Sequence, residues 1–291
     1  MALLGIDIGG TSTKIALVST AGDVLESVAV PTRGGPREFV ASLANALAHV
    51  GPVDAIGVAV AGLIDDARLV MKFNPNIDWL QGFPLRDALH DAFRRPVVLD
   101  NDSNAAAWGE YLCGGGQGAR RLLCLTIGTG VGGAMVAGGA IYRLSHQGAG
   151  DMGHVLVMPD GPRCSAGCAG CAEALISAPA VEDRALAAFG HTMPVRDLLV
   201  AAQTGDPRAR SVLAETGDYL GRAVASLSPI FYPDRVLIAG GLAEAGELLL
   251  GPAEESFRSR AGRFYQQNVE LRRAALGWQA GVVGAALLAR T

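Results

Sequence analysis

Apolar runs that end in glycine-rich turns recur along the chain. The opening predicts a strand over LLGIDI, a turn over GGTST and a second strand over KIALVS. Residues 55–64 (AIGVAVAGLI) predict a buried strand that ends in a glycine turn, and residues 234–239 (DRVLIA) predict another strand. Residues 122–142 carry no charge and could span a bilayer, but glycines at their middle favour two buried strands joined by a turn.

Helical spacing of apolar residues separates several of these strands. The segments that it marks are Glu38–Val50, Leu85–Phe93, Asp102–Tyr111, much of 177–228 and the tail Ala280–Ala289. A short strand is predicted at Pro96–Leu99. Alternating strands and helices predict an α/β protein with a parallel or mixed sheet that is covered by helices.

The opening pattern returns in the middle of the chain. Leu4–Gly9 aligns with Leu123–Gly128, each being an apolar strand with a small or polar residue near its end and a glycine turn after it. This repeat predicts two related domains. We expect a small domain over residues 1–100, onto which the C-terminal helix 279–291 packs, and a large domain over residues 101–278.

Composition narrows the class of protein. The chain has 291 residues, half of them hydrophobic, with 18% charged and a net charge of −4, which argues against disorder and against a nucleic-acid-binding surface. Five cysteines do not make a disulfide framework, and Asp7 interrupts the N-terminal apolar stretch, so no signal peptide is expected. We therefore expect a cytoplasmic protein with reduced thiols and no membrane partner.

Three glycine turns follow buried strands and are candidate phosphate-binding loops. They are Gly9-Gly10-Thr11, Gly128-Thr129-Gly130 and Gly240-Gly241. Glycine lets backbone N–H groups approach an anion closely, although such turns can also be purely structural. Asp7 precedes the first turn, where a carboxylate could hold Mg²⁺ through its waters. Lys14, one of only two lysines, is included in this predicted nucleotide site.

Asp102 is the candidate general base. It follows a strand, opens a predicted helix and lies beside Asn101, so its carboxylate could accept a proton from a hydroxyl group. The alternative is that Asp102 only caps the helix. The two roles are compatible, because a helix N-terminus favours an ionised carboxylate.

A histidine and three cysteines form a candidate metal site. Cys164, Cys168 and Cys171 lie within eight residues, ten residues after His154. In a cytosolic chain, this composition indicates a structural tetrahedral zinc site. The alternative is a loop with unligated thiols.

Together these residues resemble the ROK family of sugar kinases, open reading frames and repressors. The matching stretches, in order, are LLGIDIGGTSTK, VAVAGLID, NPNIDWLQGFPL, DNDSNAAAWGE, LTIGTGVGGAMVAGG, GAGDMGHV, DGPRCSAGCAGCAEAL, VLIAGGL and GVVGAALLA. The resemblance implies a two-domain hexokinase- and actin-like (ribonuclease H-like) fold with a cleft between the domains. It also implies that ATP binds with Mg²⁺ and that the 6-hydroxyl of a hexose or hexosamine takes the γ-phosphate.

The resemblance also assigns roles to residues. Asp102 matches the catalytic base, and the other sugar-binding positions are Asn76, Asn101, Asp151, His154 and Glu173. The nucleotide-binding positions are Asp7, Gly9, Gly10, Thr11, Thr129, Gly130, Gly240 and Gly241. His154 would contact both sugar and zinc.

Two departures from the family pattern bear on the site. The usual C-x-C-G-x-x-G-C motif has Ala166 at its middle cysteine, and Cys168 lies two residues further on. The usual Glu-x-Gly-His motif begins with Asp151, whose carboxylate is shorter by one methylene. An N-acetyl group on the sugar or a bridging water could fill that gap.

The leading expectation is an ATP-dependent kinase that favours glucose. The alternatives are an N-acetylmannosamine or N-acetylglucosamine kinase, a kinase that uses polyphosphate, and a sugar-sensing regulator without catalysis. Family regulators carry an N-terminal DNA-binding segment, for which this chain leaves no room before the first strand. The resemblance further implies a homodimer.

Overall fold

A computed structural model describes residues 2–47, 51, 53–65, 67–74, 76–144 and 148–290. The β-strands are β1 (Ala2–Ile8), β2 (Ser12–Ser19), β3 (Val24–Pro31), β4 (Ala55–Val60), β5 (Leu63–Ile64), β6 (Met71–Phe73), β7 (Val97–Asn101), β8 (Arg121–Ile127), β9 (Val131–Ala137), β10 (Ala140–Ile141), β11 (Arg235–Ala239) and β12 (Glu270–Arg273). The α-helices are α1 (Pro36–Ala46), α2 (Leu85–Phe93), α3 (Asp102–Cys113), α4 (Ala172–Ile176), α5 (Ala178–Phe189), α6 (Val195–Gln203), α7 (Pro207–Phe231), α8 (Glu247–Arg260), α9 (Arg263–Asn268) and α10 (Ala280–Leu288).

Two mixed sheets carry the fold and confirm the predicted α/β class. Their strand orders are β3-β2-β1-β4-β7 and β10-β9-β8-β11-β12. In the first sheet, β1 is antiparallel to β2 and parallel to β4, which is parallel to β7. In the second, β8 is antiparallel to β9 and parallel to β11, which is parallel to β12. The repeat seen in the sequence is therefore a repeat of sheet topology.

The chain forms two compact units. Unit 1 comprises residues 1–118, 140–150 and 278–291, and unit 2 comprises residues 119–139 and 151–277. The predicted boundary at residue 100 falls inside unit 1, because α3 packs against α10 and the end of β7 within that unit.

In unit 1, α10 lies directly on the backbone of the sheet. A Cβ atom added to Gly5 of β1 would lie 2.0 Å from the carbonyl oxygen of Val282, and one added to Gly57 of β4 would lie 1.6 Å from that of Ala285. Any side chain at these two positions would push the helix away. Two of the many glycines are thus explained by close contact between helix and sheet.

One predicted strand is wrong in its length. The apolar run 55–64 contains the predicted buried strand and its glycine turn, but the strand β4 ends at Val60 and the run continues into β5, which begins at Leu63. Gly62 between them has a φ of +103°, and a Cβ there would lie 2.2 Å from the carbonyl oxygen of Phe73. The chain must turn at this glycine, and β5 then pairs with β6.

The remaining expectations for the elements hold with small shifts. The run 122–142 forms β8 and β9 around a glycine turn, as predicted. The helix predicted over residues 38–50 is α1, which ends at Ala46, and residues 48–50 lie outside the described part of the chain. Among the described residues, no helix combines the length and the apolar character needed to cross a membrane.

Candidate active site

The first glycine turn holds a half-buried carboxylate at its base. Asp7 pairs with Lys14 across the β1–β2 hairpin, and its Oδ2 lies 3.7 Å from the Lys14 Nζ. Burial raises the pKa of Asp7, and the charge of Lys14 opposes that rise. A Cβ on Gly281, in the first turn of α10, would lie 2.9 Å from the Asp7 Oδ2. Asp7 therefore occupies a pocket that only glycine at position 281 leaves open.

Asn76 lies against this turn. A Cβ added to Gly10 would lie 3.0 Å from the Asn76 Cβ. The position of Asn76 is fixed by Asn74, which is buried and whose Oδ1 accepts hydrogen bonds from the backbone N–H groups of Asn76 (2.9 Å) and Ile77 (2.8 Å). The Asn74 Nδ2 donates to the carbonyl oxygen of Ala61 at 2.9 Å. Asn74 thus ties the predicted sugar-binding loop to the turn that follows β4.

The start of α3 corrects one expectation about its cap. The N-cap is Asn101, not Asp102: the Asn101 Oδ1 accepts hydrogen bonds from the N–H groups of Ser103 (2.9 Å) and Asn104 (3.4 Å). Asn101 has an extended backbone (φ −67°, ψ 145°), which lets its side chain fold back onto the helix. Its Nδ2 also donates to the carbonyl oxygen of Gly62 at 3.2 Å.

Asp102 is the first residue of α3, and its Oδ1 accepts a hydrogen bond from the Ser103 N–H at 2.8 Å. Burial raises the pKa of Asp102 to about 6, with the negative charge of Asp7 as the second cause. The N–H and hydroxyl groups of Ser103 act in the opposite direction. A carboxylate with this pKa is largely ionised at pH 7 and can accept a proton, as a general base requires.

In unit 2, the second glycine turn is bound to Glu173. The Glu173 Oε2 accepts a hydrogen bond from the Val131 N–H at 3.1 Å, and a Cβ on Gly130 would lie 2.7 Å from the same oxygen. The Ser165 hydroxyl donates to the Glu173 Oε1 at 3.3 Å. The predicted sugar ligand Glu173 and the predicted phosphate loop, which includes the exposed Thr129, are therefore neighbours.

The third glycine turn adjoins the second. Gly240 has a φ of +91°, and a Cβ there would lie 2.2 Å from the carbonyl oxygen of Ile127, the residue before the second turn. Gly241 borders open space, with no atom within 4 Å of an added Cβ. Two of the three predicted phosphate loops are thus side by side at the ends of the parallel strands β8 and β11.

The His-Cys cluster has the spacing of a metal site. Donor atoms of His154, Cys164 and Cys168 lie within 4.8 Å of one another, and the His154 Nδ1 lies 3.7 Å from the Cys164 Sγ. Tetrahedral zinc with bonds of ~2.1 Å to nitrogen and ~2.3 Å to sulfur separates two such atoms by roughly 3.6 Å. The buried Cys171 is not in this tightest group, but its thiol interacts with that of Cys164. Burial and this neighbour raise the pKa of Cys171 to about 11.

Asp151 reaches the same cluster. Its carboxylate is exposed, and the Oδ2 lies 3.5 Å from the His154 Nε2. His154 therefore presents one ring nitrogen to a thiol and the other to a carboxylate, which is the usual arrangement of a histidine that binds a metal.

Each unit gathers part of the predicted site. Unit 1 brings together Asp7, the first glycine turn, Lys14, Asn76, Asn101 and Asp102; unit 2 brings together the second and third glycine turns, Asp151, His154, Glu173 and the cysteines. The sequence reasoning missed two buried polar residues, Asn74 and Asp100. Asn74 directly follows β6 and Asp100 is the next-to-last residue of β7, and a polar residue at the end of a strand was the available signal.

Comparisons with known proteins agree along the whole chain. The model of the ROK family matches residues 3–291. A glucokinase of Streptomyces coelicolor is 37% identical and the match covers 99% of this chain and 97% of that protein. An N-acetylmannosamine kinase of Shigella boydii is 33% identical, with 100% and 99% covered. The solved structure of a ROK family glucokinase from Streptomyces griseus, in complex with glucose and AMPPNP, is similar with a TM-score of 0.89, 35% identity and 100% and 99% coverage.

Proposed function

Because the chain belongs to the ROK family and has its hexokinase- and actin-like fold, we propose that it is an ATP-dependent sugar kinase. It transfers the γ-phosphate of ATP to the 6-hydroxyl of a hexose, with glucose preferred. The observation that carries the proposal is the placement of Asp102: a carboxylate with a pKa of about 6, at the start of a helix and within electrostatic reach of Asp7 at the first glycine turn.

In this proposal Asp102 accepts the proton of the 6-hydroxyl as its oxygen bonds to the γ-phosphorus, and ADP leaves. Phosphoryl transfer has a loose transition state, so positioning and charge stabilisation account for most of the catalysis. The three glycine turns bind the phosphates through backbone N–H groups. When bound, Mg²⁺ would neutralise phosphate charge, and Asp7 is the residue that would hold it through water molecules.

The proposed sugar ligands follow from the family resemblance. Asn76 and Asn101 are the proposed ligands in unit 1, and Asp151, His154 and Glu173 are those in unit 2. Asn101 has already committed its Oδ1 to the helix cap and one N–H to Gly62, so it can offer a sugar hydroxyl only the second N–H of its amide. Asn76 is the more versatile of the two because its backbone alone is fixed by Asn74.

We also propose that His154, Cys164, Cys168 and Cys171 bind one structural zinc ion. Cys168 takes the place of the cysteine that the family motif has at Ala166, and its thiol lies close enough to the other donors to do so. Zinc would fix the His154 ring, and hence the orientation of a sugar ligand.

Metal analysis tests the zinc proposal directly. About one zinc per chain is expected in protein purified without added metal, as a four-ligand structural site holds. Cys168→Ser should lose the metal and weaken sugar binding more than ATP binding. Cys113→Ser, at the end of α3 and outside the cluster, is the matched control and should retain the metal. Well-folded, active protein without zinc would contradict the assignment.

A second candidate substrate is N-acetylmannosamine. The shortened Asp151 favours it, since the missing methylene leaves space near the sugar for a substituent. A panel of sugars with ATP, read by ADP release and corrected for release without sugar, ranks the candidates. Glucose is expected to have the highest kcat/KM, and no sugar-dependent ADP release with any hexose or hexosamine would overturn the proposed function.

The same preparation tests the assembly that the resemblance implies. We propose a homodimer, for which sedimentation should give twice the mass of one chain, 29.9 kDa.

A further inference from the structure

A buried carboxylate that the proposed reaction does not use lies two residues before the candidate base. Asp100, near the end of β7, is 2% exposed. Its Oδ1 accepts hydrogen bonds from the Asn101 N–H (2.8 Å) and the Asn104 Nδ2 (2.9 Å). Arg143 bonds to both of its oxygens, and the Arg68 Nη1 donates to its Oδ2 at 3.1 Å.

The first two of these bonds enclose Asp102. Asn101 precedes the candidate base and Asn104 lies two residues after it, and a single carboxylate oxygen binds both. Asn101 in turn caps α3 and donates to Gly62. The first turn of α3 is therefore fixed to the end of the strand by one side chain, and the direction of the Asp102 carboxylate depends on that turn.

Arg68 and Arg143 compensate the negative charge of the buried Asp100 carboxylate. A buried carboxylate is costly unless it is paired and hydrogen-bonded. Arg68 comes from the turn after β5 and has a left-handed backbone, with a φ of +54°. Arg143 comes from the segment after β10. The side chain of Arg68 is 37% exposed and that of Arg143 is 20% exposed. Three separate segments of unit 1 thus meet at Asp100.

We propose that Asp100 is a positioning residue for the phosphoryl transfer: it holds Asn101 and the first turn of α3 so that the Asp102 carboxylate points at the sugar hydroxyl. Arg143 and Arg68 pair with its carboxylate and hold it in place. This inference rests on the proposed function, in which Asp102 is the base and Asn101 a sugar ligand.

The test compares two aspartates with similar bonding. Asp234, before β11 in unit 2, accepts hydrogen bonds from the N–H groups of Arg120 (3.0 Å) and Arg121 (2.9 Å) and an ion pair from Arg120, but touches no proposed site residue. Asp100→Asn should lower kcat roughly ten- to a hundredfold and raise the sugar KM, because small displacements of reacting groups are costly. The ATP KM should stay close to that of wild type, because the side-chain partners of Asp100 are not proposed nucleotide-binding residues. Asp234→Asn should lower Tm and leave all three constants unchanged.

A purely structural Asp100 would give the pattern of Asp234, that is, a lower Tm with unchanged kcat and KM per folded molecule, and this result overturns the proposal. If Asp100→Asn does not fold, Arg143→Lys decides, because lysine keeps the charge and loses the two-point contact. Folded Arg143→Lys protein should show the same change in kcat and sugar KM in weaker form, whereas wild-type kinetics would overturn the proposal. The wild-type sugar panel distinguishes failure of the proposed function from failure of the positioning role. If the wild type phosphorylates no sugar, the proposed function is wrong and this inference with it. If the wild type is active and Asp100→Asn has the same kinetics, only the positioning role is wrong.

Discussion

The two sheets share a strand order and differ in the chemistry at their glycine turns. In each, a central strand is antiparallel to the next strand in the chain and parallel to a later one, and the turn at its end is rich in glycine. At the aligned position near the end of the central strand, the first sheet has Asp7 and the second has Thr126. The residue paired with it is Lys14 in the first sheet and Gly132 in the second.

The two glycine turns therefore have the same backbone topology but different charges and neighbours. The first turn carries a half-buried carboxylate, whose charge acts on the candidate base Asp102. The second turn is uncharged, has a further glycine turn beside it and is bonded to Glu173. A repeated fold supplies two places where backbone N–H groups can meet phosphate, and at the aligned position near the end of the central strand the first has the carboxylate Asp7 where the second has the uncharged Thr126.

The largest expected effect is the loss of the base in unit 1. Asp102→Asn should lower kcat by ~10²–10⁴ and leave the sugar KM nearly unchanged, since the amide cannot accept the proton. Asp183→Asn, an exposed carboxylate on α5 of unit 2, is the control and should behave as wild type. Steady-state kinetics with ATP and glucose measure both. Near wild-type turnover in Asp102→Asn would assign the base to another residue.

The carboxylate of Asp151 in unit 2 should have the opposite kinetic signature. Asp151→Ala should raise the sugar KM roughly ten- to a hundredfold, the equivalent of one hydrogen bond to a charged group, and should change the ATP KM little. Asp151→Glu should alter the ranking of glucose against N-acetylmannosamine. If both variants have the sugar KM and the ranking of sugars that the wild type has, Asp151 is excluded from sugar binding.

The close contact between α10 and Asp7 gives a smaller effect that separates function from stability. Gly281→Ala places a methyl group against the Asp7 carboxylate, and all its close contacts are with that side chain. It should lower kcat/KM for MgATP about tenfold by displacing Asp7. Gly284→Ala instead meets the backbone of α3, 1.7 Å from the carbonyl oxygen of Ala105, and should lower Tm. An unaltered kcat/KM in Gly281→Ala would show that Asp7 tolerates displacement.

The smallest effect is a shift in pH dependence. Because Asp102 acts in its ionised form and has a pKa raised to about 6, kcat/KM should rise with pH through that region and level off above it. The Asp7 charge contributes to the raised pKa, so Asp7→Asn should move the rise to lower pH while reducing the activity itself. A profile of Asp7→Asn that rises at the wild-type pH would mean that the two carboxylates do not interact.

The sequence predicted the parts of this comparison that depend on local patterns. Apolar runs and glycine turns marked the central strands of both sheets, and α2 was predicted with its observed bounds. The glycine turn after β4 was predicted, but the end of the strand at Val60 and the second strand β5 were not, because hydrophobicity alone does not separate a buried strand from the turn that follows it. Asn101 and Asp102 are both good cap residues, and only the backbone conformation decides between them.

Residues whose roles depend on distant partners could not be predicted. Asp100 reads as the end of a strand, and its partners Arg68 and Arg143 are 32 and 43 residues away in the chain. Glu173 was predicted as a sugar ligand from a motif, but its bond to Val131 joins residues 42 apart. The cysteine cluster could be predicted because its members, Cys168 included, are close in sequence.

The position of the transferred phosphate is the most direct test of the central claim, that Asp102 activates the 6-hydroxyl of a hexose for attack on ATP. Wild-type protein incubated with glucose, ATP and Mg²⁺ should give ADP and glucose 6-phosphate in equal amounts, with the phosphate located by ³¹P NMR. The same incubation with 6-deoxyglucose should give no sugar-dependent ADP. Phosphate on another hydroxyl, or ADP release with 6-deoxyglucose at the rate seen with glucose, would contradict the account.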